Sequence, residues 1–351
     1  MHVARIVFGY FFMLSCIANA QTDFRIQSIQ RNPDESITLT WPTLDGRSYH
    51  VMFADTPDGW WQDMPDGHLM RAPNGLACYT DVFASASQRF YKIRRDPPHV
   101  IMTLVLDRSG SMYGAGTYVT AAVTNFLGNF DDNTDRAAVV SFATTATVNV
   151  PMSRPFKSAI AAGTGNLVYS GATFAQGGLT NALVQNNSVV INPGESAVKV
   201  AVFFTDGMAN IVQDTLNCGG TPSLLNLGGY DNGSAVGFFN PSIGSSVSCS
   251  GATTFKSAIS GQNVLLNGDN VRADAAFRTL QVASDMRAAG MYVYSIGLGS
   301  GVNMTFLQQV ANDPNSPTFN PAQPIGEAVV APSLDELPAA LQQIAAQISA
   351  H

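Results

Sequence analysis

Asp107, Ser109 and Ser111 stand at alternate positions in LVLDRSGSMYG, residues 104–114, where an apolar run ends beside a glycine. Three oxygen side chains at this spacing suit three roles: a hydrolase nucleophile with its support, a hard-metal site, or an ordinary polar loop. A serine nucleophile needs an adjacent base, usually histidine. The chain has 5 histidines, His2, His50, His68, His99 and His351, and none falls between residues 100 and 350. Gly110-Ser111-Met112-Tyr113-Gly114 misplaces the serine for a G-x-S-x-G elbow. Lys157, Lys199 and Lys256 lie in no recognisable dyad motif. No phosphate-binding G-x-x-x-x-G-K-[ST] is present, and no G-x-G-x-x-G follows the first apolar strand. An enzyme is therefore not expected.

The metal reading gains from two further segments. Asp206 closes the apolar run VKVAVFFT in FFTDG, and Thr173 lies in GATFAQGGLTNAL just before a helical pattern. Ligands of open α/β sheets collect at the carboxyl ends of strands, where Asp107 and Asp206 are expected. Two carboxylates and three hydroxyls make an all-oxygen set, suited to Mg²⁺ or Mn²⁺ and unsuited to zinc. So few protein charges leave an open position on the ion for an outside carboxylate.

The elements that must bring these residues together are near-continuous apolar runs at 100–106, 137–143, 198–205 and 291–298. Such runs fit strands buried on both faces of a parallel sheet. Helical patterns alternate with them. One carries Val119, Ala122, Val123, Phe126, Leu127 and Phe130. A second follows Gly178, a third spans 272–289 and stops at Gly290, and LDELPAALQQIAAQI closes the chain. The expected fold is α/β: a doubly wound, mainly parallel open sheet. Residues 213–271, rich in Gly, Asn and Ser, break this rhythm and read as a surface insertion.

Residues 23–96 follow a different pattern. SITLTW places Ile37, Leu39 and Trp41 on one face, and DGRSYHVMF places Tyr49, Val51 and Phe53 on one face after an Asp45-Gly46 turn. With Trp60, Trp61 and FYKIR, these segments predict a small all-β sandwich with an aromatic core. RRDPP, residues 94–98, reads as the linker, since adjacent prolines continue neither strand nor helix.

The 351-residue chain has room for both domains. Only 12% of its residues are charged, against about a quarter in an ordinary globular chain, so Ser, Thr, Asn, Gln and Gly must solvate its surface. Net charge is −7 and no basic stripe occurs, so nucleic acid is excluded as a partner. Residues 1–20 read as a signal peptide: Arg5, the apolar IVFGYFFML, then Ala18-Asn19-Ala20 for cleavage. Cys16 offers a lipoprotein alternative. No later run is long enough for a membrane span. Secretion, to the cell exterior or the envelope, would oxidise thiols, and Cys218 and Cys249 could then close a disulfide. Cys78 is left over and is expected to be a buried small side chain.

DRSGSM resembles the D-x-S-x-S signature of von Willebrand factor type A domains. GAT resembles that family's G-G-T loop, FFTDG its strand end, SFAT its second strand end, and VYSIGLG its later V-x-x-I-G-x-G. The likeness covers residues 99–350. It implies a metal-ion-dependent adhesion site in which Asp107, Ser109, Ser111 and Thr173 are direct or near-direct ligands, with Asp206 acting through water. Thr180 competes with Thr173, but Thr173 keeps the family's distance to the Gly-Leu that opens the helix. FLQQVANDP and the proline-rich residues after it are similar to type A domains of tight-adherence pilus-associated envelope proteins. The first module loosely resembles fibronectin type III or immunoglobulin-like sandwiches. The implied function is divalent-metal-dependent binding of a protein or extracellular-matrix ligand presenting Asp or Glu. The alternative is a structural envelope or pilus-assembly component using the domain for packing.

Overall fold

The structure, a computed structural model, describes residues 25–43, 47–72, 75–82, 88–95, 98–191, 196–230 and 236–350. The expected signal peptide and the Asp45-Gly46 turn lie outside the described residues. Residues 1–96 and 97–351 form two compact units.

The described residues of the first unit form six strands: β1 (Ser28–Arg31), β2 (Ile37–Thr43), β3 (Arg47–Ala54), β4 (Gln62–Ala72), β5 (Gly75–Asp81) and β6 (Phe90–Arg95). They pair antiparallel as two three-stranded sheets, β1-β2-β5 and β4-β3-β6. The alternation read from sequence buries Leu39 and Trp41 of one sheet against Tyr49 and Val51 of the other. The Trp41 and Tyr49 rings meet edge-on at 6.2 Å. Asp81 is fully buried. It accepts from Arg89 at 2.6 Å and from the Tyr91 hydroxyl at 2.8 Å.

Three expectations for this unit fail. Trp60 is 85% exposed, so the aromatic core is smaller than its sequence suggests. Cys78 faces solvent, because it opposes the outward Thr40 in the β2–β5 pairing. Arg94 and Arg95 complete β6 instead of belonging to the linker, since both pair with β3.

In the second unit, β7 (His99–Asp107), β8 (Arg136–Phe142), β9 (Ala146–Ser153) and β10 (Ala197–Thr205) precede an inserted set. That set is β11 (Ile211–Cys218), β12 (Thr221–Gly229), β13 (Val236–Asn240), β14 (Ser245–Ser246), β15 (Thr254–Lys256) and β16 (Asn263–Leu265), and β17 (Tyr292–Leu298) and β18 (Ala328–Ala331) follow it. The main sheet runs β18-β17-β10-β7-β8-β9, parallel except for β9. Six helices flank it: α1 (Gly116–Leu127), α2 (Lys157–Gly165), α3 (Ala175–Asn187), α4 (Gly268–Ala288), α5 (Met304–Ala311) and α6 (Leu337–Ser349). Met102, Leu104 and Leu106 pack towards α1, α2 and α6. Val105, Phe142 and Phe203 pack towards α3, α4 and α5. The unit is thus doubly wound, and each central strand is apolar on both faces for that reason. Among the described residues no helix is long and apolar enough to cross a membrane.

Helix α3 opens at Ala175, three residues before Gly178. A Cβ at Gly178 would lie 2.7 Å from the Phe142 ring, so the glycine sets how closely α3 meets β8. Helix α4 opens earlier than expected because Asn267 caps it, accepting from the Asn270 N–H at 2.8 Å.

The largest departure concerns the insertion. Residues 213–271, read as a surface insertion, carry regular strands of their own. β11 to β14 form a four-stranded antiparallel sheet, β15 and β16 form a hairpin, and a Cys218–Cys249 disulfide joins the end of β11 to the segment after β14. Val212, Leu216, Leu225, Leu227 and Phe255 are buried in the core against α4. Backbone pairing with alternate apolar residues makes these strands despite their Gly-rich composition.

Candidate functional site

The order of the main sheet reverses at β7. The chain leaves β7 towards β8 and β9, then returns on the other side through β10. Loops after β7 and β10 therefore diverge, and a crevice opens at their carboxyl ends. Asp107 ends β7 and Asp206 follows β10.

Asp107 is fully buried. One carboxylate oxygen accepts the Ser109 N–H at 2.8 Å, and the other accepts the Thr205 hydroxyl at 2.6 Å. Burial pushes its pKa up to about 6, against the lowering effect of those donors. Burial also raises Asp206, opposed by the Ser111 hydroxyl. Among the described residues no Lys or Arg forms an ion pair with either carboxylate.

The alternate serines come round on the short turn Gly110–Met112, anchored by buried Met112. Ser109 Oγ and Ser111 Oγ are 3.1 Å apart, and Ser111 donates to Asp206 at 2.8 Å. The Gly110 N–H donates to the Gly171 carbonyl at 2.8 Å, and Ser170 N–H donates to the Arg108 carbonyl at 2.9 Å. These bonds bring the Thr173 loop beside the serines. Gly171 has φ +89°, and a Cβ there would meet Thr144 Oγ1 at 2.4 Å, so a side chain at 171 is excluded twice over.

Thr173 itself is buried and lines the same cavity as Ser109 and Ser111. Thr180 lies exposed in α3 and lines a different depression. All five residues singled out in sequence thus gather at one edge, and Thr173 is the threonine that joins them.

Three supporting residues are not singled out in the sequence, although Thr205 stands within FFTDG. Thr205 anchors Asp107. Asn210 accepts the Thr173 N–H at 2.7 Å through its side chain. Asn226 of β12 donates to the Thr144 carbonyl at 2.8 Å. Thr205 is hidden in an apolar strand, and the two asparagines lie in or beside a segment that reads as a loop.

The donor set fits a hard divalent cation. Hydroxyl oxygens of Ser109, Ser111 and Thr173 and the carboxylates of Asp107 and Asp206 offer oxygen alone. Among the described residues no three His, Cys, Asp or Glu side chains gather as a separate metal cluster.

No curated protein matches the chain in sequence. Among solved structures, the PilB minor pilin of Streptococcus sanguinis is 15% identical, covering 93% of this chain and 78% of its own, with a TM-score of 0.50. The von Willebrand factor domain of the type V pili tip protein Mfa5 from Porphyromonas gingivalis is also 15% identical, covering 72% of this chain and 96% of that one, with a TM-score of 0.49. The pilus adhesin SpaC of Lactobacillus rhamnosus GG is 16% identical, with a TM-score of 0.48. It covers 93% of this chain, which spans 34% of that adhesin. The family model described as the von Willebrand factor type A domain matches residues 102–208, a span that contains all five site residues. The second unit of this chain has the fold of a von Willebrand factor type A domain, and residues 102–208 within it match that family's model.

Proposed function

We propose that this chain is a secreted or envelope-bound adhesion protein whose type A domain holds Mg²⁺ or Mn²⁺ and captures a partner's Asp or Glu side chain. The observation that carries this reading is the convergence of Asp107, Ser109, Ser111, Thr173 and Asp206 at the sheet's switch point. Asp107, Ser109, Ser111 and Thr173 would hold the ion, with Asp206 acting through water, and the ion supplies an electrophilic position for an incoming carboxylate. Thr205 keeps the Asp107 carboxylate oriented, and the Ser111 hydroxyl does the same for Asp206.

The reading is of binding, not turnover. His99, the sole histidine from 99 to 350, opens β7 at the end opposite Asp107, roughly 26 Å away along the strand at 3.3 Å per residue. The Cys218–Cys249 disulfide supports an oxidising compartment.

Calorimetric titration of Mg²⁺ and then Mn²⁺ into chelator-stripped protein tests the reading, with Asp107→Ala beside it. One-to-one binding lost in the variant is expected. Absence of binding to the parent protein would overturn it and favour a packing role in a pilus or envelope assembly.

A further inference from the structure

The cavity that starts at Ser109, Ser111 and Thr173 does not end with them. It extends for about 750 Å³ to the inserted sheet, within the roughly 300–1,000 Å³ of ligand pockets in general. Strand register shows which face of that sheet it meets. Ile211 pairs with Gly228 and Gly228 with Gly237, while Asn226 pairs with Phe239. These residues share one face, the face from which Asn226 reaches the Thr144 carbonyl beside the site. Leu227 and Phe238, one residue out of phase, point towards the core.

Two facing glycines thus leave a trough in the cavity wall. At Gly228 a Cβ would make ordinary contact with Ile211 Cδ1 at 3.6 Å, so the Ile211 side chain walls the trough on that side. The Tyr230 side chain lies over Gly237: its hydroxyl would be 2.7 Å, and its ring 3.3 Å, from a Cβ there. Phe239 borders the trough on the other side, and exposed Met208 lines the same cavity. Arg272 lines the cavity too, but it pairs with Asp269 and donates to the Tyr230 carbonyl. The charge at this end is therefore already matched, and what remains on offer is aromatic and apolar surface.

We infer that the site recognises a two-residue feature of a partner peptide: a carboxylate for the metal, and beside it a bulky aromatic or aliphatic side chain seated in the Gly228–Gly237 trough between Tyr230 and Phe239. This rests on the metal-dependent reading above and adds the second determinant. Aromatic side chains carry large contact area and dominate binding hot spots, which makes the trough the discriminating half of the site.

The test uses fluorescently labelled seven-residue peptides with a central Asp whose neighbours are Ala, Leu, Phe or Lys. Their anisotropy is followed against the full chain in Mg²⁺ and in chelator. The Phe peptide is expected to bind at least about tenfold tighter than the Ala peptide, only with Mg²⁺. Phe239→Ala should erase that preference while leaving Mg²⁺ affinity and thermal midpoint unchanged. Equal Mg²⁺-dependent binding of all peptides would overturn the trough and leave the metal reading standing. Binding that ignores chelator, or that survives Asp→Asn in the peptide, would overturn the metal reading itself. No binding of any peptide overturns the inference.

Discussion

Asn210 and Thr173 hold each other twice. The Thr173 N–H donates to the Asn210 side-chain oxygen at 2.7 Å, and the Asn210 N–H donates to the Thr173 carbonyl at 3.1 Å. Asn210 touches no partner carboxylate, yet it fixes the loop that presents the Thr173 hydroxyl.

Asn210→Ala is therefore expected to weaken Mg²⁺ binding by about tenfold or more, the range seen for groups that orient metal ligands. Calorimetry should show the affinity loss with one-to-one stoichiometry retained. An unchanged affinity would mean that the loop is held well enough by its other bonds.

Thr205→Val removes the hydroxyl that donates to Asp107 at 2.6 Å. A buried carboxylate losing a donor costs about 1.5–3 kcal/mol. Urea unfolding of the metal-free protein should show that loss at neutral pH. A change under 0.5 kcal/mol would show that water replaces the hydroxyl.

The buried Asp81–Arg89 pair gives a prediction confined to the first unit. Arg89→Ala strands a fully buried carboxylate, which costs about 3–5 kcal/mol. All 3 tryptophans, Trp41, Trp60 and Trp61, lie in this unit, so tryptophan fluorescence follows it selectively. Its transition should fall markedly while the helical circular dichroism signal of the second unit melts as before.

Cys218→Ser with Cys249→Ser opens a link across 31 residues of sequence. Chain entropy puts the loss at about 3–4 kcal/mol. The inserted sheet should then become the first part of the second unit to exchange its amide hydrogens. Retention of full protection would show that Leu225, Leu227 and Phe255 hold it without the bridge.

Much of the second unit is legible in its sequence because its central strands are buried on both faces. The runs at 100–106, 137–143, 198–205 and 291–298 became β7, β8, β10 and β17 with ends shifted by at most one residue. Asp107 and Asp206 stand out because each follows such a run. β9 was not legible, since an antiparallel edge strand with mixed burial has no continuous apolar signal. The inserted strands were missed for a related reason: Gly228, Gly229 and Gly237 lower strand propensity, and cross-strand pairing outweighs it. Cys78 and Trp60 show the opposite error, in which residue type suggested an interior that strand register denies.

The bond from Asn226 to the Thr144 carbonyl and the bond from the Gly229 N–H to the Asn210 carbonyl join the inserted sheet to two loops of the site. The inserted sheet and the loops proposed to bind the ion are thus one mechanical body, and they cannot be exchanged as separate parts. A chimera that imports a foreign segment in place of residues 213–229 would change which partner is favoured. It would also detune the ion, unless the incoming segment brings an amide at 226 and a free N–H at 229. Substitutions at 230 and 239, whose side chains line the cavity, leave that stitching intact.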